Sequence, residues 1–198
     1  MLRRRLIFIR HGETDWNAEG RLQGRQDIPL NARGRHQAEK AGRTVLRILG
    51  PEAVRSPDLP FLCSPLGRAR QTMEIARAAM GLPVDAYSLD ERVVELTFGE
   101  WEGLTWPEVK AREPTAASWR EGDKWRFTPP KGESYAMLAE RLRPWVESLD
   151  REAVVVSHGG VARALMAMVG GLPEERAALA DIWQGRVLVF HNGKFDWI

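Results

Sequence analysis

Apolar residues fall along the chain in short unbroken runs and in spaced helical stripes. Leu6-Ile7-Phe8-Ile9 is a β-favouring run that ends at a glycine turn, which predicts a buried strand. Asn31 can cap a helix in which Ala38, Ala41, Val45 and Leu49 recur at steps of three and four. Phe61-Leu62-Cys63 predicts a second strand, and Arg68 to Met80 a helix stopped by Gly81 and Pro83. Ser134 can cap a further helix with Leu138, Leu142, Trp145, Val146 and Leu149 on one face. Ala153 to Ser157 is an apolar strand that runs into His158-Gly159-Gly160 and another helix. Val187 to His191, the pair Asn192-Gly193, and Lys194 to Ile198 predict a hairpin with a two-residue turn.

This order predicts an α/β fold: a three-layer α/β/α sandwich around a mainly parallel sheet, with a C-terminal hairpin added. Gly103 to Lys131 breaks the rhythm, because it carries Trp106, Trp119 and Trp125 together with Pro107, Pro114, Pro129 and Pro130. A structureless loop of this length is uncommon, so short helical pieces and a Trp-rich, cap-like insertion over about 103–131 are expected. No internal repeat divides the chain, and residues 1–198 read as one domain.

Composition narrows the function classes. With 198 residues, 43% hydrophobic and 28% charged, the chain can bury a core and is neither a disordered nor a collagen-like sequence. A net charge of +2 is too mild for a nucleic-acid binder, although it leaves room for a local basic pocket. Cys63 is the only cysteine, so no intrachain disulfide is possible and nothing points to an oxidising compartment. The start, Met1-Leu2-Arg3-Arg4-Arg5, imitates a signal peptide, but only Leu6 to Ile9 follow as an apolar run. Ala153 to Leu172, the best membrane-span candidate, is interrupted by His158, Arg163 and two glycine pairs. A cytoplasmic protein with no membrane or nucleic-acid partner is expected.

The candidate chemistry lies at strand ends, where open α/β sheets bind ligands. His11 follows the first strand, beside Arg10 and ahead of Gly12; His158 follows the later strand and opens a glycine-rich helix start suited to an anion. One such histidine has a bland reading as a satisfied core residue; two independent strand-end histidines fit that reading poorly. Ser64 to Thr72 opens a helix toward the same crevice, and either Arg68 or Arg70 can offer a second guanidinium fork. A cysteine-phosphatase loop needs five residues between Cys and Arg; Cys63 has four before Arg68 and six before Arg70, so it reads as a core residue. Glu95, Glu100 and Glu102 are three candidates for a proton donor that spacing does not separate. His36 and His191 have no ligand partner at metal spacing, so no metal and no cofactor are expected.

Together these residues resemble the histidine phosphatase (phosphoglycerate mutase-like) superfamily. The resemblance starts at Phe8-Ile9-Arg10-His11-Gly12-Glu13-Thr14-Asp15-Trp16-Asn17 and runs in order to Val156-Ser157-His158-Gly159-Gly160 with Arg163. It departs from the family pattern only at Asn31, Met73 and Lys131. It implies that His11 is the nucleophile, that Arg10, Arg68 and His158 hold the phosphoryl oxygens, and that Glu95 is the proton donor. Asn17 matches a residue that contacts phosphate or substrate, and Gln23 and Gly24 match a substrate-side loop. The stretch Gly99 to Leu104 resembles the phosphatase branch, including α-ribazole and broad-specificity phosphatases. That implies a metal-independent phosphomonoester hydrolase acting on a small phosphorylated metabolite. A cofactor-dependent phosphoglycerate mutase and a non-catalytic phosphate-binding module are the alternatives. A carboxyl acid must carry its proton, so the rate is expected not to climb above about pH 9; a pH–rate profile that keeps rising there contradicts Glu95 as the acid.

Overall fold

The computed structural model describes residues 4–198; the Met1–Arg3 part of the basic start lies outside them. In chain order the strands are β1 (Leu6–Arg10), β2 (Phe61–Cys63), β3 (Ser88–Leu89), β4 (Ala153–Ser157), β5 (Val187–His191) and β6 (Lys194–Trp197). The helices are α1 (Asp15–Ala18), α2 (Ala32–Leu49), α3 (Pro51–Val54), α4 (Gly67–Ala79), α5 (Trp106–Arg112), α6 (Pro114–Gly122), α7 (Tyr135–Ser148), α8 (Gly159–Met168) and α9 (Glu174–Leu179). One six-stranded sheet has the order β3-β2-β4-β1-β5-β6. Its first four strands are mutually parallel; β5 pairs antiparallel with β1, and β6 antiparallel with β5.

Side-chain alternation along β1 explains the three layers. Leu6 and Phe8 point into one core with Leu138, Leu142 and Trp145 of α7, Val161 and Leu165 of α8, and Ala177 of α9. Ile7 and Ile9 point the other way, into a core with Ala41 and Val45 of α2 and Ala69, Met73 and Ala76 of α4. A strand covered on both faces has no polar side to present, which is why these runs are apolar without interruption. Cys63 lies in the second core, and burial raises its thiol pKa, as befits a packing residue.

The local signals act as their chemistry requires. Asn31 accepts from the Gly34 amide at 2.9 Å and Ser134 from the Met137 amide at 3.1 Å, capping α2 and α7. Asn192 and Gly193 both take positive φ, 48° and 73°, the geometry of a tight turn matched to strand twist. α4 begins one residue before the expected start, at Gly67, and ends at Ala79. Sequence periodicity missed β3, α1, α3 and α9. The two residues of β3 are exposed and held only by pairing with β2, so they carry no alternation to read.

Residues 103–131 contain α5 and α6, and their tryptophans divide among three environments. Trp125 stacks on Tyr135 at 5.8 Å in the main core, Trp106 meets Trp101 edge-on at 6.0 Å, and Trp119 is 68% exposed. Trp101, Val109 and Ala117 form a small core of their own under the two helices.

α2 and α4 approach closely where Gly42 faces the Ala76 backbone, and a Cβ at Gly42 would overlap the Ala76 carbonyl. Glycine-to-alanine changes inside helices ordinarily stabilise by about 1 kcal/mol. Gly42→Ala is expected instead to destabilise, by about 1–3 kcal/mol in urea unfolding, because the helices must separate. A gain in stability would show that the two helices have slack at this crossing.

Candidate active site

Parallel pairing of β1 with β4 sets Arg10 beside Ser157, and the His11 amide donates to the Ser157 carbonyl at 2.9 Å. The two residues after these strand ends, His11 and His158, therefore sit abreast, with ring centroids 5.2 Å apart. Both are buried. Gly12, whose amide donates to Thr72 Oγ1 at 3.0 Å, turns the chain against the Gly34 backbone, where no side chain would fit.

The hydrogen bonds around His11 assign its tautomer. Nδ1 lies 2.8 Å from the Gly12 carbonyl, which can only accept, so Nδ1 carries the proton. Arg68 Nε donates to Nε2 at 3.3 Å, which leaves a lone pair there. Burial, then the positive charges of Arg68 and Arg10, hold His11 well below the ordinary histidine range, so the ring is neutral. For His158, Nε2 lies 2.6 Å from Ser64 Oγ, while Nδ1 is buried without a partner. Ser64 Oγ also accepts from the Leu66 amide at 3.4 Å, so its hydroxyl proton is free to go to Nε2. When Ser64 donates, the proton of the neutral ring is on Nδ1; charging of His158 is likewise suppressed by burial and then by Arg68.

The two arginines are held differently. Arg68 is 1% exposed, and its terminal nitrogens donate to the carbonyls of Gln26 at 2.6 Å and Gly24 at 2.7 Å. Arg70, the other candidate fork, faces solvent. Arg10 donates to the Ile182 carbonyl at 2.7 Å, and its Nε is buried and unpartnered. Burial, then repulsion from Arg163, lowers Arg10 to about 10. An unpartnered guanidinium nitrogen and an unpartnered imidazole nitrogen are both buried here, and such groups are costly unless a ligand satisfies them.

The acid candidates also separate. Glu95 is 9% exposed and lines the same pocket; its oxygens accept from the Leu96 and Gly160 amides at 3.0 Å each. Glu100 is exposed and pairs with Lys131 at 2.8 Å. Glu102 braces the structure, accepting from Thr97 Oγ1, Gln26 Nε2 and the amides of Arg25 and Phe98. Gly24 passes so close to Glu102, at φ +54°, that only glycine fits there. The pocket, of about 140 Å³, is lined among others by Arg10, His11, Asn17, Gln23, Gly24, Arg68 and Glu95. His36 and His191 lie outside it. Among the described residues no group of three His, Cys, Asp or Glu side chains could hold a metal ion.

The histidine phosphatase superfamily (branch 1) model matches residues 6–196. The chain belongs to this superfamily. A glucosyl-3-phosphoglycerate phosphatase of Mycolicibacterium vanbaalenii is 38% identical over 183 residues, covering 86% of this chain and 76% of that protein. A Serratia proteamaculans protein carrying the name probable phosphoglycerate mutase is 33% identical, covering 92% and 83%. The structure of mycobacterial glucosyl-3-phosphoglycerate phosphatase with VO3 superposes with a TM-score of 0.78 at 32% identity, over 98% of this chain and 96% of that one. This histidine phosphatase is thus an enzyme of the phosphatase type. No helix among its described residues is long and apolar enough to cross a membrane.

Several residues that brace the pocket were given no role by the sequence reading: Asp27, Thr72 and Gln184. Asp27 holds the start of α4 through the Gly67 amide at 2.8 Å, and Thr72 Oγ1 donates to the Arg68 carbonyl at 2.8 Å. Gln184 donates to the His11 carbonyl at 3.1 Å and to Asn17 Oδ1 at 3.0 Å. Gln23 is tied up inside the chain: its Oε1 accepts from Thr14 and Asn17, and its Nε2 donates to Gln26. None of these has a periodicity or spacing signal; only the Thr14 to Asn17 capping box is readable locally.

Both buried histidines stay neutral in the folded protein, whereas in the unfolded chain they protonate near 6.5. Below pH 6.5 the unfolded state therefore binds more protons, and each histidine removes about 1.4 kcal/mol of stability per pH unit. Urea-unfolding free energy is expected to fall from pH 6.5 to pH 5, with a shallower slope in His11→Asn and in His158→Asn. An unchanged slope in both variants would place the acid sensitivity elsewhere.

Proposed function

We propose that this enzyme hydrolyses phosphomonoesters of small metabolites without a metal, through a phosphohistidine at His11. The observation that carries the reading is the His11 ring itself: buried, neutral, protonated at Nδ1 against the Gly12 carbonyl, with an unprotonated Nε2 whose lone pair accepts from Arg68 Nε and would be released to a phosphoryl group that takes over that donor. Nε2 attacks phosphorus and the P–O ester bond breaks. Glu95 gives its proton to the leaving oxygen. Water then attacks the phosphohistidine, Glu95 takes a proton from it, the P–N bond breaks, and His11 and inorganic phosphate are regenerated. Arg10 Nε, the Arg68 guanidinium and the His158 Nδ1–H supply the positive charge and donors that the equatorial oxygens require.

Asn17 faces the pocket with Oδ1 already engaged by Gln184, so one Nδ2 hydrogen remains for a phosphoryl oxygen. Gln23 acts by holding Asn17, and Gly24 by positioning Arg68 through its carbonyl. Residues 103–131 form a cap on a single domain. They join the pocket wall through the Leu22–Leu104 and Gly103–Leu22 backbone bonds of 2.9 and 2.8 Å and the Arg21 bond to the Gly103 carbonyl at 2.8 Å.

Hydrolysis of p-nitrophenyl phosphate in EDTA is expected for the wild type. His11→Ala should lose at least about 10³-fold in kcat/KM. Acid-quenched enzyme should carry an acid-labile phosphoryl group that the variant lacks. Full activity in His11→Ala would remove the nucleophile from this account, and conversion of 3-phosphoglycerate to its 2-isomer at a rate above hydrolysis would favour a mutase.

A further inference from the structure

The end of the sheet away from His11 holds a second concavity. It measures about 400 Å³ and is walled by Val54, Leu59, Phe61 and Leu82, with Arg55 and Arg77 also facing it. A volume of this size suits a small molecule. Phe61 opens β2, and Arg77 stands in the last turn of α4. Arg68, in the first turn of the same helix, is about 13 Å of helix away. The concavity shares no lining residue with the strand-end pocket and is separate from it.

Arg77 is 4% exposed, yet its guanidinium is only partly satisfied. Nε donates to the Pro83 carbonyl at 2.7 Å, and the guanidinium carbon lies 4.4 Å from the centre of the Phe61 ring. The ring attracts the cation but is no acceptor of the ordinary kind for its N–H groups. Nη1 is buried and has no hydrogen-bond partner, a costly state for a charged donor. Arg55 stands exposed at the rim, with Nη1 donating to the Pro51 carbonyl at 2.9 Å. Its Nη2 reaches across Gly81, 3.8 Å from where a Cβ would stand. Among the described residues, no carboxylate lies within 4.0 Å of a guanidinium nitrogen of Arg55 or Arg77, although eighteen ion pairs of that length exist elsewhere. Asp85 is near enough for Arg77 to feel its charge but does not pair with it.

We infer that this concavity binds a small amphipathic carboxylate, with its apolar body on Val54, Leu59, Phe61 and Leu82 and its charged end on Arg77 and Arg55. A planar guanidinium matches a carboxylate in shape as well as charge. The apolar walls select against a bare inorganic anion, which would lose its hydration there without an apolar surface of its own to bury. Two arginines without an acid select against a neutral or cationic molecule of the same shape. The inference is independent of the reaction proposed for His11.

Calorimetric titration of the full chain with 4-phenylbutyrate and with 4-phenylbutanol tests the assignment, because the two probes share an apolar body and differ in charge. The carboxylate should bind saturably, and the alcohol at least about tenfold more weakly, as the loss of one charge-assisted contact requires. Arg77→Met should weaken the carboxylate about tenfold and Arg55→Met severalfold, with little change for the alcohol. Should Arg77→Met fail to fold by circular dichroism, Arg55→Met and Ala86→Trp decide, since both alter exposed lining residues. Ala86→Trp places a large ring at the concavity and should abolish binding of both probes. No saturable binding of 4-phenylbutyrate, equal affinity for acid and alcohol, or wild-type affinity in the folded variants would overturn the site.

Discussion

The parallel pairing of β1 with β4 is the constraint on which the site depends. Its register sets Arg10 opposite Ser157, and the His11 amide bond to the Ser157 carbonyl carries the pairing one residue past the strand. Two imidazoles that are 147 positions apart in the chain are thus brought side by side. A slip of one residue in either strand would send one of them to the opposite face of the sheet. The apolar runs that fill both cores make such a slip costly, because every inward side chain would reverse with it.

The second physical theme is positive charge held beside buried, neutral histidines. Arg68 is buried against carbonyls, Arg10 keeps an unpartnered Nε, and both lie beside two histidines that burial keeps uncharged. Neutrality is what the nucleophilic role proposed for His11 requires, and the guanidinium charges are the field that the proposed phosphoryl group would meet. The two needs are compatible only because the protons sit on defined nitrogens. The Gly12 carbonyl fixes the proton of the His11 ring, and the Ser64 hydroxyl holds Nε2 of the other. Glu95, seated on the Gly160 amide at the start of α8, is placed against this positive cluster by a glycine that leaves room for its carboxyl.

Around these groups lies a shell that works by holding others. Asp27 and Thr72 secure the first turn of α4, which carries Arg68. Glu102 ties the Arg25–Gln26 loop to the turn after Glu95, and Gln184 reaches in from the segment before β5 to orient Asn17. Arg141 does similar service from α7, bonding the Val94 carbonyl next to Glu95 and pairing with Glu133. Such bonds convert loops, which are otherwise mobile, into a rigid frame for the chemistry.

The sequence by itself determined the sandwich, the hairpin and the strand-end histidines. Each of these is written in local terms: unbroken apolar runs, helical stripes behind Asn31 and Ser134, and the left-handed pair Asn192-Gly193. Spacing alone left Arg68 and Arg70 equivalent, and likewise Glu95, Glu100 and Glu102; the family resemblance named Arg68 and Glu95. Tertiary structure supplied the physical reason. Arg68 and Arg70 differ only in which side of α4 meets the core, and the three glutamates only in how the chain turns after Val94. Tertiary structure alone brought in Gln184 and the bracing role of Asp27. Their roles come from contacts with residues far along the chain, and no periodicity along one segment can encode a meeting between segments.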